Sequence, residues 1–178
     1  MASGRLRLFT LYVDFPAAVR ARWASNAISK YAGESWITST EMWKVDSLAA
    51  SNAISKMVAQ EAARADIVVV VASSLNYRHH EAVQWLETLA ACVTDRQDTG
   101  LLIGLFGDDD NHTSELGWTV KTFLNSASRM NRDFIWHWME AGAMNDCAWL
   151  TDNLDSFLER KCVEAEKSLS SGLALIAA

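Results

Sequence analysis

Ala65-Asp66-Ile67-Val68-Val69-Val70-Val71-Ala72-Ser73-Ser74 is an unbroken β-branched run that leaves a helical pattern and ends in small polar residues. A half-wet strand alternates apolar and polar side chains, and this run does not, so both of its faces must be covered. That is the environment of a central strand in a parallel sheet with helices on either side. Gly100-Leu101-Leu102-Ile103-Gly104-Leu105-Phe106 is a second run of the same kind. The two predict parallel pairing of residues 67–72 with 101–106.

Working outward, residues 6–13 alternate and carry Leu, Phe, Tyr and Val, which suits a first strand. Asp14-Phe15-Pro16 follows as a helix cap with proline in the first turn. Val19, Trp23, Ala27, Ile28 and Tyr31 recur at helical spacing and predict a core-facing stripe, and Gly33 stops that helix. A second strand is expected over 35–40, with a loop or short helix over 41–48. The next helix, 51–65, places Ile54, Met57, Val58, Ala62 and Ala65 on one stripe; 81–94 does the same with Ala82, Val83, Leu86, Leu89, Ala90 and Val93. A fourth helix carries Leu116, Val120, Phe123, Leu124 and Ala127, and a fifth strand over 133–139 aligns Phe134, Trp136 and Trp138. The last helix, 152–169, turns Leu154, Phe157, Leu158, Cys162 and Ala165 inward, and Gly172 is expected to end it before a short apolar tail, 170–178.

Strands alternating with helices of this length predict one three-layer α/β domain over 1–169, with a five-stranded, mostly parallel sheet of flavodoxin-like type and helices on both faces. The order 2-1-3-4-5 is the simplest of that class. The sequence Ala-Ser-Asn-Ala-Ile-Ser-Lys occurs twice, from Ala24 and from Ala50, but two copies with unmatched flanks do not make a repeat architecture.

Composition narrows the function. The chain has 178 residues, half of them apolar, and a formal charge of -6, which opposes nucleic-acid binding because phosphates need a surplus of Lys and Arg on one face. No stretch of about 18 apolar residues suggests a membrane span. Cys92, Cys147 and Cys162 form no metal or redox pair, so a reducing, cytoplasmic location is expected. No G-x-G-x-x-G or G-x-x-x-x-G-K-[ST] turn is present, so no nucleotide cofactor is expected, and no metal.

In open parallel sheets, ligands sit beyond the carboxyl ends of the strands, where strand order reverses. Here that point lies between the first and third strands. The residues facing it are Asp14, Ser73, Ser74, Asn76 and Tyr77, with Asp108 added from the fourth strand. The run Asp108-Asp109-Asp110-Asn111 reads first as a solvated loop and helix cap, and only second as a metal site. His79, His80 and Glu81 form the densest titratable cluster. They read first as the exposed start of a helix and second as an acid–base group. No G-x-S-x-G elbow surrounds Ser73.

Of eight tryptophans, Trp23, Trp85, Trp136 and Trp138 fall at core-facing positions. Trp36, Trp43, Trp118 and Trp149 fall at loops or helix beginnings, where an aromatic lines a cleft or meets a partner. Trp43 is therefore counted among the ligand-binding candidates, and self-association into a homodimer is expected.

The segments 41–48, 61–70 and 81–87 resemble a group of short bacterial proteins to which no activity attaches. The order of elements is also similar to that of TIR-type domains, in which a glutamate on the helix after the third strand serves NAD cleavage. That resemblance implies Glu81 or Glu87 as the catalytic carboxylate of a nucleoside or NAD glycosidase. A receiver domain of two-component signalling offers a third likeness. Asp14 matches its first acidic position, but Ser73 or Ser74 stands where its phospho-accepting Asp belongs. The leading expectation is a non-catalytic signalling or protein-interaction module, with a small ligand at the strand ends.

Overall fold

A computed structural model describes residues 4–73, 77–93, 99–107, 113–139 and 148–176. Its elements run β1 (Gly4–Tyr12), α1 (Phe15–Ala32), β2 (Trp36–Lys44), α2 (Val45–Ala49), α3 (Asn52–Ala63), β3 (Ile67–Ala72), α4 (Tyr77–Cys92), β4 (Gly100–Gly107), α5 (Thr113–Arg129), β5 (Arg132–Met139) and α6 (Ala148–Ile176). The five strands form one sheet in the order β2-β1-β3-β4-β5, with every pair parallel. Ile67 stands opposite Leu101 and Ala72 opposite Phe106, the expected register. Every residue of β3 and of β4 is buried.

The sheet separates two cores. On one face Phe9, Leu11, Val68, Val70, Leu102 and Phe106 pack under α2, α3, α4 and α5. On the other, Leu6, Leu8, Ile67, Val69, Leu101 and Ile103 pack under α1 and α6. Successive residues of β3 alternate between these cores, which is why the run had to be apolar throughout.

Several expectations are corrected. β2 extends to Lys44 because it pairs with β1 residue for residue from Gly4–Trp36 to Tyr12–Lys44, and the partner strand sets its length. In α1 the inward stripe is Ala17, Ala21, Ala24, Ile28 and Ala32, while Val19 and Tyr31 face solvent. Small alanines let that helix lie close to the sheet. Ile54 and Met57 of α3, Leu124 of α5 and Trp136 of β5 are likewise exposed. α4 begins at Tyr77 and α6 at Ala148, both earlier than the periodicity alone suggested. α6 also continues through Gly172 to Ile176. The Leu and Ala residues around that glycine are strong helix formers, which together outweigh its cost of roughly 1 kcal/mol. No helix among the described residues is long and apolar enough to cross a membrane.

Candidate functional site

The carboxyl ends of β1 and β3 lie side by side, and the ladder continues past β1 through the Val13 N–H donating to the Val71 carbonyl at 3.1 Å. Asp14 leaves this ladder in an extended conformation and caps α1, its Oδ1 accepting the Ala17 N–H at 2.8 Å. Its other oxygen accepts a hydrogen bond from the Ser73 hydroxyl at the end of β3. The structure therefore brings together two of the sequence-derived ligand candidates, Asp14 and Ser73, and bonds them to each other.

Arg20, one turn further along α1, is buried at the same end of the sheet. Its Nη1 lies 3.0 Å from where a Cβ on Gly107 would stand. The sequence reading missed it, although a signal existed. Arg20 follows Ala17 by three residues and precedes Ala24 by four, so it interrupts the inward stripe as a charge on an alanine face.

The remaining candidates disperse. Trp43 is half-buried near the end of β2 and packs against the core beneath α2–α5. Ser74, Asn76 and Asp108 lie outside the described residues, as do the side chains of Tyr77 and His79. His80, exposed in the first turn of α4, sets its ring 5.3 Å from that of Trp118 on α5. Glu87 accepts from the Ser126 hydroxyl at 3.2 Å and pairs with Arg129, which ties α4 to α5. Glu81 differs from all of these. Its Oε2 is buried with no hydrogen-bond partner, and the side chain lines a cavity of about 200 Å³ between α2, α3 and α4. Glu81 and Glu87 are six residues apart, so a 3.6-residue helix points them in different directions and they share no site. Among the described residues no three His, Cys, Asp or Glu side chains converge as a metal site.

A larger, mostly apolar groove of about 530 Å³ runs between α1 and α6, walled by Trp23, Ala27 and Tyr31 on one side and Leu150 and Leu154 on the other. The Tyr31 hydroxyl donates to Asp155 at 2.6 Å and joins the two helices.

No protein-family model matches the chain, and no curated protein does. Among solved structures, a short-chain flavodoxin associated with an atypical PDU bacterial microcompartment superposes with a TM-score of 0.54 at 12% identity, over 90% of this chain and 99% of that one. The likeness is one of fold. It places this five-stranded parallel sheet among flavodoxin-like architectures.

Proposed function

We propose that the chain is a non-catalytic interaction module of flavodoxin-like architecture, of the kind used in cytoplasmic signalling, and that it pairs with a second copy of itself through the groove between α1 and α6. The observation that carries this reading is the stripe Phe15, Val19, Trp23, Ala27 and Tyr31. Its spacing of four is that of a buried helix face, yet Phe15 is 81% and Val19 45% exposed, because the alanine stripe beside it has taken the core position. Exposed apolar surface next to a groove marks a contact face. Lys30 of α1 lines the groove and Asp152 of α6 is exposed, so opposite charges are available to pair across a two-fold contact. Trp23 is the aromatic anchor such an interface needs.

The neighbouring fold raises the question of a flavin. In flavodoxin-like sheets, flavin mononucleotide binds at the β1/β3 switch point, and a phosphate there would use free N–H groups at a helix N-terminus. The start of α1 does not fit. Pro16 has no N–H, the Ala17 N–H is held by Asp14, and the carboxylate itself repels an anion. A ligand at the strand ends meets the Asp14 carboxylate, which has acceptor capacity beyond its bonds to Ala17 and Ser73, so a small neutral or cationic hydrogen-bond donor suits the position.

A glycosidase remains the second reading, and what favours it is the unpartnered Glu81 Oε2. Incubation with NAD and a nucleoside panel tests it, and no release of nicotinamide or free base is expected.

Sedimentation across a concentration series tests self-association. The parent chain should form dimers and Val19→Glu should remain monomeric with an unchanged melting midpoint, since an exposed position tolerates such a change within about 0.5 kcal/mol. A parent chain that stays monomeric at the highest concentration refutes the reading.

A further inference from the structure

In a chain with 16 basic and 22 acidic side chains, a place where arginines outnumber carboxylates stands out. One lies at the amino end of β1. The β1–β2 ladder starts at Gly4–Trp36, but β3 joins β1 only from Leu8–Ile67, so the first residues of β1 and their partners on β2 form a two-stranded ledge. Strand alternation puts Arg5 and Arg7 on the same face as Phe9, which is the α3 side, and the register sets Ser39 opposite Arg7 and Glu41 opposite Phe9. Arg5, Arg7 and Glu41 are exposed there, and the last turn of α3 adds Glu61, with Arg64 just beyond it. These six residues line an open cavity of about 350 Å³, within the range of small-ligand sites, roughly 300–1,000 Å³.

The charges here are only partly paired with one another. Arg64 donates to Glu61 at 2.9 Å, which neutralises that pair. Among the described residues the side chains of Arg5, Arg7 and Glu41 form no hydrogen bond or ion pair. The carbonyls at the end of α3 would repel an anion, but those of Ala62 and Ala65 already accept from Arg132. Two guanidiniums side by side on one strand face repel each other, and an oxyanion shared between them reverses that.

We infer that this ledge binds a small phosphomonoester that carries an ammonium group, the phosphate taken by Arg5 and Arg7 and the ammonium by Glu41. A phosphomonoester brings a charge of about −1.5 to −2 at neutral pH and three acceptor oxygens, which suits two forked donors and the Ser39 hydroxyl beside them better than a carboxylate does. The Arg7–Ser39 pair and the Phe9–Glu41 pair are two residues apart, roughly 6.6–6.8 Å along the strands. The ligand's opposite charges must therefore be separated by a short carbon chain. A plain anion leaves Glu41 set against it, and a polyanion such as nucleic acid is opposed by the overall charge of -6 as well. The ledge lies on the opposite face of the sheet from the α1/α6 groove, so this site and the proposed dimer stand or fall separately.

The test titrates phosphoethanolamine, ethyl phosphate and ethylamine into the full chain by calorimetry. Phosphoethanolamine should bind saturably and at least threefold more tightly than ethyl phosphate, and ethylamine should give no saturable heat. Arg7→Gln should weaken phosphoethanolamine binding at least tenfold. Glu41→Gln removes both the partner of the ammonium and the repulsion of bare phosphate, so it should erase the preference between those two probes. Both positions are exposed, so the melting midpoints should stay at the parent value and a lost affinity reports on the site. Equal binding of phosphoethanolamine and ethyl phosphate by the parent, or binding that Arg7→Gln leaves intact, overturns the assignment. So does the absence of saturable heat from every probe, which would make these arginines a solvated surface. Co-sedimentation with vesicles containing phosphatidylethanolamine separates a free ligand from a lipid headgroup. The chain should remain in the supernatant, and pelleting with the vesicles would overturn the small-ligand assignment.

Discussion

The repeated heptapeptide shows how far a residue's role is set by its surroundings. Ile28 and Ile54 occupy the same place in Ala-Ser-Asn-Ala-Ile-Ser-Lys, yet Ile28 is 1% exposed against the sheet and Ile54 is 40% exposed on α3. The serines diverge too. Ser25 is buried and shares a 3.0 Å hydrogen bond with Thr10 of β1, whereas Ser51 caps α3 by accepting the Ile54 N–H. Burial rather than local sequence should therefore decide the cost of truncation. Ile28→Ala should lose about 2–5 kcal/mol, the range for a large-to-small change in a packed core, and Ile54→Ala no more than about 0.5 kcal/mol. Paired urea denaturation curves measure both, and equal losses would contradict the burial assigned here. The same contrast explains what the sequence hid at this scale. Periodicity marks an apolar stripe but cannot say which of two adjacent stripes meets the sheet, so it points to Val19 and Tyr31 as core where the alanines beside them hold that place.

At the scale of elements, legibility followed burial. β3 and β4 are covered on both faces, so their chemistry is uniform and their pairing could be read to the residue. The edge strand β2, Trp-Ile-Thr-Ser-Thr-Glu-Met-Trp-Lys, carries mixed side chains and owes its length to β1, which its own composition does not report. Of the candidate site, Asp14 was legible because cap and strand end coincide in Asp14-Phe15-Pro16. That Glu81 would keep a buried, unpartnered oxygen was not, because an orphaned atom is a property of the assembled helices. The packing of α1 on α6 offers a test at this level. The Tyr31 hydroxyl is held above its ordinary pKa, chiefly by its hydrogen bond to Asp155 and further by the charges of Asp155 and Asp152. A proton bound more tightly in the folded chain than in the unfolded one stabilises the fold fully below the unfolded tyrosine value, about pH 10, and that contribution disappears as pH rises through the higher folded value. Between mildly and strongly alkaline pH the parent should therefore lose more of its melting temperature than Tyr31→Phe does. Parallel pH profiles would show that the Tyr31–Asp155 contact contributes nothing.

For the whole molecule, the amino ends of the strands are joined by a charged network that no single element contains. Asp66, just before β3, accepts the Arg7 N–H of β1 at 2.9 Å and pairs at 3.3 Å with Lys161 of α6, which is itself buried. Arg132 opens β5, two strands away, and is 5% exposed. Its guanidinium donates to the carbonyls of Ala62, Ala65 and Asp66 at 3.3, 2.8 and 3.2 Å, passing over Gly100 of β4. Gly100 is required there, since a Cβ at that position would stand 2.5 Å from Arg132 Nη1. The two charged side chains thus fasten the α3–β3 connection to α6 on one layer and to the sheet edge on another, so that edge and centre unfold together. A methionine fills nearly the space of the arginine stem but donates nothing, and hydrogen bonds from a charged donor contribute on the order of 1.5–3 kcal/mol each before the released carbonyls recover water or other partners. Arg132→Met should therefore lower the urea midpoint by the equivalent of about 2–3 kcal/mol. If the network holds edge and centre in one cooperative unit, amide exchange in β5 should then speed up more than in β3, where the parent protects both alike. An unchanged midpoint with uniform exchange would mean that the strands are held by their ladders and cores alone, and that the buried arginine serves only to fill the space above Gly100.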